Sequence, residues 1–429
     1  MGRRPPQREP GVPAPSGRPQ LLRLHNRTLI LSLLRQRPMS RAELSRQAGL
    51  ALPTVSRLVD QLIRDGLVAE GQKQATGGRH ATELRLRAEA GFVLGAELGR
   101  ERIRVILSDL QGDVRAQAEK PRGETAEQDI AYLAAMAGAL LGDAGVEPRR
   151  LMGIGVGVPG PLDPAAGTVI APPNFRGWSY VPLRQLLQQR FRVPVWIEND
   201  ANAGALAEFL LSHPQARNLV YVMADAGVGA GLVIERQLYR GEGGAGELGH
   251  CPIQLGGPPC PCGRRGCVEA IASTDAMVAR YHELHGQGAS GSGGPADFAA
   301  LLAAEAGGDR RARAVLARGG RALGAGLAIL ANLLSPEVVV LGGRSVRSPS
   351  FLEAARRELE RRRFGTGEVM VTTTRLNGTS VARGAALLAL QGLFQSPFAP
   401  GFAPGADAVT GGGRTPVRGP EVRAGTPEG

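Results

Sequence analysis

Four side chains in one short stretch have the types and spacing of a metal site. All four cysteines of the chain, Cys251, Cys260, Cys262 and Cys267, lie within 17 residues, directly after His250 in Gly246-Glu247-Leu248-Gly249-His250. Zn2+ favours four soft or borderline ligands in a tetrahedron, so the imidazole of His250 and the thiolates of Cys260, Cys262 and Cys267 suit it, with Gly263 and Gly266 allowing tight turns around the ion. A site closed by four protein ligands is structural rather than catalytic. Cys251 adjoins His250 and would either compete as a ligand or pack as a small hydrophobe, the second being preferred. The opposing reading is a set of free or redox-paired thiols.

Two further groups carry polar chemistry. The apolar stretch 151–158 ends in Pro159-Gly160-Pro161-Leu162-Asp163, and 195–198 ends in Asn199-Asp200-Ala201-Asn202. Polar side chains at strand ends line clefts in open α/β sheets. Taken singly, Asp200 could instead cap a helix and Glu198 could be a surface charge. Near the N-terminus, Thr54, Ser56, Arg57 and Gln61 fall on the exposed side of an amphipathic stretch, with Arg41, Lys73, Arg79 and His80 around it. Such residues read base edges or hold phosphates.

The elements that position these groups follow from periodicity. Leu22, Leu29, Ile30, Leu33 and Leu34 predict a first helix over 21–35. Ser40-Arg41-Ala42-Glu43 matches a capping box opening a second helix, which Gly49 ends. Pro53 and the set Val55, Leu58, Val59, Leu62 and Ile63 predict a third helix, running to Gly66. Alternating stretches 67–70 and 82–87 around Gly77-Gly78 predict a two-stranded wing. The start of the third helix is then the part that enters the major groove. Beyond it, 92–98, 102–110 and 113–120 read as strands, 125–141 as a helix, and two Gly-punctuated strand-rich stretches suggest two lobes.

Composition bounds the class. The 429 residues suffice for two or three domains, and 43% hydrophobic residues supply real cores. The formal charge is +12, of which residues 1–90 carry +9, so the polyanion-binding end is the N-terminal one. The chain shows neither an uncharged apolar run of about 18 residues nor an apolar signal core, so a soluble cytoplasmic protein without membrane contact is expected. The expected organisation is a disordered basic tail over 1–19, a winged helix-turn-helix over 20–88, a larger α/β unit over 91–394 and a disordered Gly/Pro-rich tail over 395–429.

At this level the chain resembles the ROK family (repressors, open reading frames and kinases) in its transcriptional-repressor branch. The resemblance rests on Ser-Arg-Ala-Glu-Leu from Ser40, Gly77-Gly78-Arg79, Gly157-Val158-Pro159-Gly160, Glu198 to Asn202, Gly246 to His250 and the block from Cys260 to Glu269. It implies an actin-like, hexokinase-like two-lobed α/β domain that binds a sugar between its lobes, preceded by the mainly helical winged module. By motif, Asn174, Asn199, Asp200, Glu247, His250 and Glu269 correspond to sugar contacts. In kinases of the family, Asp200 would be the base that activates the sugar hydroxyl. The family's Asp-x-Gly-Gly-Thr turn reads Glu97-Leu98-Gly99-Arg100-Glu101 here, and its Gly-Thr-Gly turn reads Asp225-Ala226-Gly227-Val228-Gly229. Both substitutions place bulk or negative charge where phosphates would lie. The expectation is therefore a sugar-responsive repressor, a homodimer or higher homo-oligomer on a double-stranded DNA operator, with structural Zn2+ and no enzymatic activity. The competing class is an ATP-dependent sugar kinase with an added DNA-binding module.

Overall fold

The computed structural model describes residues 19–76, 79–173, 175–284, 297–365 and 367–394. The N-terminal unit is built from helices Pro19–Gln36, Arg41–Ala48 and Leu52–Arg64, followed by the hairpin Val68–Thr76 and Arg79–Leu86. Ser40 closes the predicted capping box: its Oγ accepts from the Glu43 N–H at 3.3 Å, and Glu43 Oε2 accepts from the Ser40 N–H at 2.9 Å. Gly49, at φ 65°, turns the chain between the second and third helices. Ile30, Leu34, Met39, Leu44, Val55, Leu62 and Leu84 form the core, none more than 2% exposed. The wing strands are longer than 67–70 and 82–87, and the third helix stops at Arg64, two residues before Gly66. Polar residues pair here through their backbones, Gln74 with Ala81 and Lys73 with Thr82, which an apolar alternation cannot reveal.

The remainder holds two five-stranded sheets. In the first lobe, Val195–Asn199, Leu151–Val158 and Phe92–Leu98 run parallel, and Arg102–Asp109 and Val114–Pro121 extend the sheet antiparallel. Helices Ala126–Asp143 and Leu183–Phe191 cover one face, burying Leu133, Ala137, Leu183 and Leu187. In the second lobe the order is Gln237–Tyr239, Val228–Ile234, Leu219–Ala224, Val338–Gly342 and Met370–Thr373. Alternation along Leu219–Ala224 sends Val220, Val222 and Ala224 toward helices Arg310–Leu334 and Pro349–Arg362, and Leu219 and Tyr221 toward Ala205 and Phe209. Arg310–Leu334 is long and apolar enough by composition to cross a membrane, but 67% of its apolar window is buried in this lobe.

Two helices join the lobes. Asp200–Ala207 packs on the second sheet, and Ser380–Phe394 packs on the first sheet and against Asp200–Ala207. The approach is backbone to backbone: a Cβ at Gly155 would sit 1.8 Å from the Ala385 carbonyl oxygen, and one at Gly384 would sit 1.7 Å from that of Ala203. Beyond Ala207, a single π turn over Glu208–Ser212 buries Glu208, whose Oε1 accepts from the Ser380 hydroxyl at 3.0 Å and from Thr374. The last helix also meets the N-terminal unit. Ala386, Leu387, Leu390 and Phe394 share one cluster with Ile30, Leu31, Leu34 and Leu44, and the Arg35 guanidinium lies 5.7 Å from the Phe394 ring centre.

This packing makes a specific demand on residue 384. Gly384→Val should destabilise the protein by about 2–3 kcal/mol, because no neighbouring backbone can give way. Gly138→Ala, on an exposed helix face with open space around it, should be neutral or stabilising by up to about 1 kcal/mol. Chemical unfolding followed by circular dichroism distinguishes the two outcomes.

Candidate ligand cleft, metal cluster and nucleic-acid interface

The cleft floor is the C-terminal edge of the first sheet. Asn199 ends strand Val195–Asn199 and caps the next helix, its Oδ1 accepting from the N–H groups of Ala201 at 2.9 Å and Asn202 at 3.2 Å. The cap is thus Asn199 rather than Asp200. Asp200 opens the helix, and its carboxylate accepts from the Ala201 N–H at 2.8 Å. Burial pushes Asp200 up to about 6 against the pull of that N–H and of Arg100, with Glu247 raising it further. Glu97 is likewise pushed up to about 7 by burial, although Arg104 donates to its Oε2 at 2.7 Å. Gly160 brings the two sides together: a Cβ there would lie 3.3 Å from Asn199 Nδ2 and 3.8 Å from Glu247 Oε1.

Glu198 is not a surface charge. It is 4% exposed; Oε1 accepts from the N–H of Asn199 and from Asn202 Nδ2, both at 3.0 Å, while Oε2 accepts from Arg240 Nε at 2.6 Å. Burial without neutralisation requires such a partner, and Arg240 supplies it from the loop that leads to Glu247. Glu269 is equally buried: Oε2 accepts from the Val228 N–H at 2.9 Å, and Oε1 has no protein partner. Asn199 and Glu247 are thus brought together around Gly160 beside Asp200, and Arg100 lies near both Asp200 and Glu269. Asn174 lies outside the described residues. Trp178 is core, its Nε1–H donating to Asp129 at 2.9 Å.

The metal-ligand candidates converge. The ligand atoms of His250, Cys260, Cys262 and Cys267 all lie within 4.8 Å of one another. Cys262 Sγ and Cys267 Sγ are 3.8 Å apart, and Cys260 Sγ lies 3.7 Å from His250 Nδ1. A tetrahedron with bonds of about 2.3 Å has edges of about 3.8 Å, so the donor set can hold a metal with little rearrangement. Gly266, at φ 72°, is required, because a Cβ there would meet the Gln254 carbonyl oxygen at 1.7 Å. Cys251 stands apart, its thiol directed to the Glu247 carbonyl at 3.7 Å. The His250 ring faces both ways: Nδ1 meets the thiols, and Nε2 lies 4.0 Å from Glu247 Oε2.

Arginines fill the space between the strand-end turns of the two lobes. Arg100 Nη1 donates to the Ala226 carbonyl at 3.1 Å, with Nη2 3.8 Å from Glu269 Oε2. The Ala226 N–H is taken by Asp225 Oδ1 at 2.8 Å. Arg344 and Arg240, absent from the sequence-based set, are the main additions; their partners are distant in the chain and no local spacing announces them.

On the N-terminal unit, Arg57 is exposed and Thr54, Ser56 and Gln61 are half-exposed on helix Leu52–Arg64. Gln61 Oε1 accepts from Arg23 Nη2 at 2.9 Å. Arg41 bridges Asp60 at 2.9 Å and Glu70 at 3.0 Å, bracing the third helix against the wing. Lys73 pairs with Thr82 and Arg79 with Thr76 along the wing; the side chains of Lys73, Arg79 and His80 lie outside the described set.

Comparison with known proteins agrees with this architecture. Residues 93–392 match the ROK family, and residues 29–71 match the IclR helix-turn-helix domain. The chain is 35% identical to the xylose repressor of Caldicellulosiruptor bescii over 81% of its own length and 90% of that protein. It is 31% identical to the DNA-binding transcriptional dual regulator NagC of Escherichia coli, over 80% of this chain and 86% of that one. Among solved structures, a ROK family transcriptional regulator described as a homologue of the E. coli MLC protein superposes with a TM-score of 0.72 at 26% identity, covering 87% of this chain and 97% of that one. A match across most of the two-lobed region, with a helix-turn-helix match ahead of it, establishes that the chain belongs to the ROK family.

Proposed function

We propose that the protein is a sugar-responsive transcriptional repressor that binds a DNA operator through helix Leu52–Arg64 and a sugar in the interlobe cleft. The observation that carries this reading is the state of the backbone donors where a nucleotide's phosphates would be received. The Ala226 N–H is held by Asp225, the Val228 N–H is held by Glu269, and the Arg100 guanidinium rests on the Ala226 carbonyl. Phosphate recognition needs such donors free and approachable. A sugar instead needs fixed acceptors and donors for hydroxyls, which Asn199, Asp200, Glu247, His250 and the unpartnered Glu269 Oε1 supply. Asn174 completes this proposed set.

Zinc is the proposed metal, held by His250, Cys260, Cys262 and Cys267. These four residues would tie the loop carrying His250 to the segment that continues into Glu269. His250 would hold the metal from one side of its ring, while its Nε2, 4.0 Å from Glu247 Oε2, faces the cleft. On DNA, Thr54, Ser56, Arg57 and Gln61 are the proposed base-reading set, with Lys73 and Arg79 as wing contacts. A homodimer is proposed because two recognition helices about 34 Å apart read successive major grooves on one face of the duplex.

The kinase reading keeps one support, since Asp200, the base that the family motif implies, opens the helix at the strand end and is pushed up to about 6 by burial. Calorimetry with D-xylose, glucose and N-acetylglucosamine should detect a sugar that binds the wild-type protein and binds Glu247→Ala about ten- to a hundredfold more weakly. The same sugar with ATP and Mg2+ should yield no sugar phosphate; product formation abolished by Asp200→Asn would reverse the assignment. For DNA, Arg57→Ala should weaken binding to the promoter fragment of the chain's own gene by about 1–3 kcal/mol while leaving sugar affinity unchanged. Unchanged gel-shift affinity would exclude this reading face. Elemental analysis should find one zinc per chain, and Cys262→Ser should remove it, lower the thermal midpoint and abolish sugar binding; full sugar affinity without metal would contradict the bracing role.

A further inference from the structure

Charged side chains cross the mouth of the cleft. Arg100 and Glu101 lie in the turn between strands Phe92–Leu98 and Arg102–Asp109 of the first lobe. Asp225 follows strand Leu219–Ala224, and Arg344 follows strand Val338–Gly342, both in the second lobe. Arg344 Nε donates to Asp225 Oδ1 at 2.7 Å and its backbone N–H donates to Asp225 Oδ2 at 3.0 Å. Its Nη2 then reaches across to Glu101 Oε1 at 2.6 Å.

Asp225 is fixed before it holds Arg344. Its N–H donates to the Gly227 carbonyl at 2.9 Å, its carbonyl accepts from the Thr274 N–H at 3.0 Å, and its Oδ1 also accepts from the Ala226 N–H. The planar guanidinium is therefore oriented from its own lobe, and little rotamer freedom is lost when it meets Glu101. Glu101 and Arg344 side chains are 43% and 31% exposed, so water and salt reach the pair and it can open.

We infer that Arg344, oriented by Asp225, is a positioning residue that clasps Glu101 and holds the two lobes closed over the cleft. The bridge between the lobes is thus built from the chain itself. Closure then depends on the cleft's own occupant, on this clasp and on the Arg100 guanidinium that rests on the Ala226 carbonyl. The consequence for affinity rests on the sugar reading above; the consequence for lobe closure does not.

The test uses the full-length, metal-replete protein. Amide hydrogen exchange is followed by mass spectrometry in segments 95–105 and 222–230 for wild type, Glu101→Ala, Arg344→Ala and Arg344→Lys. Glu101→Ala removes the reach of Arg344 across the cleft, leaving the Arg344–Asp225 pair and the Arg100 contact with Ala226 intact. Both alanine variants should exchange about three- to tenfold faster in both segments, with Arg344→Lys partly restored. Adding about 0.5 M KCl should speed wild-type exchange and scarcely change Glu101→Ala. Exchange in segment 39–64 should be unaffected in every case. Whichever of D-xylose, glucose and N-acetylglucosamine binds the wild type should bind Glu101→Ala more weakly by a similar factor. Exchange in Glu101→Ala identical to wild type would overturn the clasp. Faster exchange with no sugar bound by any form would support the clasp and count against the sugar reading alone.

Discussion

The structure depends on a place where three backbones touch. Gly155 of the first sheet, Gly384 of the last helix and Ala203 of the cleft helix approach so closely that a single methyl group at either glycine would overlap a carbonyl oxygen. The helix carrying Asp200 is thereby fixed against Ser380–Phe394, and the buried Glu208 carboxylate ties the far end of the same pair. Because Phe394 and Leu390 continue into the core of the winged unit, the cleft and the DNA-reading head share one packed column. Packed interiors transmit displacement rather than absorb it. A shift of the cleft helix has a physical route to the head.

The cleft's charge decides what it accommodates. Glu97, Asp200, Asp225, Glu247 and Glu269 line or flank it, and Arg100, Arg104 and Arg344 reach into it from both lobes. The arginines are committed to carboxylates and carbonyls already present, so the balance is acidic, and the N–H groups of Ala226 and Val228 are taken. That environment suits hydroxyl groups, which donate to carboxylates, and opposes a polyphosphate, which would meet them as like charge.

The sequence was legible where the physics is local. Ser40 and Glu43 stand three residues apart, and the geometry of a helix start requires their reciprocal bonds; the cysteine spacing around Gly263 and Gly266 leads as directly to the cluster. The strand-rich, Gly-punctuated stretches suggested two lobes and the polar strand ends a cleft, while the actin-like architecture and the set of sugar contacts came through family motifs. The arginine partnerships were hidden: Arg240 meets Glu198 from 42 residues away and Arg344 meets Asp225 from 119, so only the fold brings them together. The same reason makes Arg41 a brace, since Asp60 and Glu70 are 19 and 29 residues distant and their approach depends on how the wing packs. A surface charge stayed open as an alternative for Glu198 because burial is a property of the assembled sheet.

Linkage between the cleft and the head is the account's central claim, and it is reciprocal by thermodynamic necessity. The most direct measurement is operator affinity by fluorescence anisotropy across a titration of the bound sugar, paired with sugar affinity in the absence and presence of saturating operator. The account predicts that each ligand changes the other's dissociation constant by the same factor, about fivefold or more. Two affinities that are each indifferent to the other ligand would contradict it.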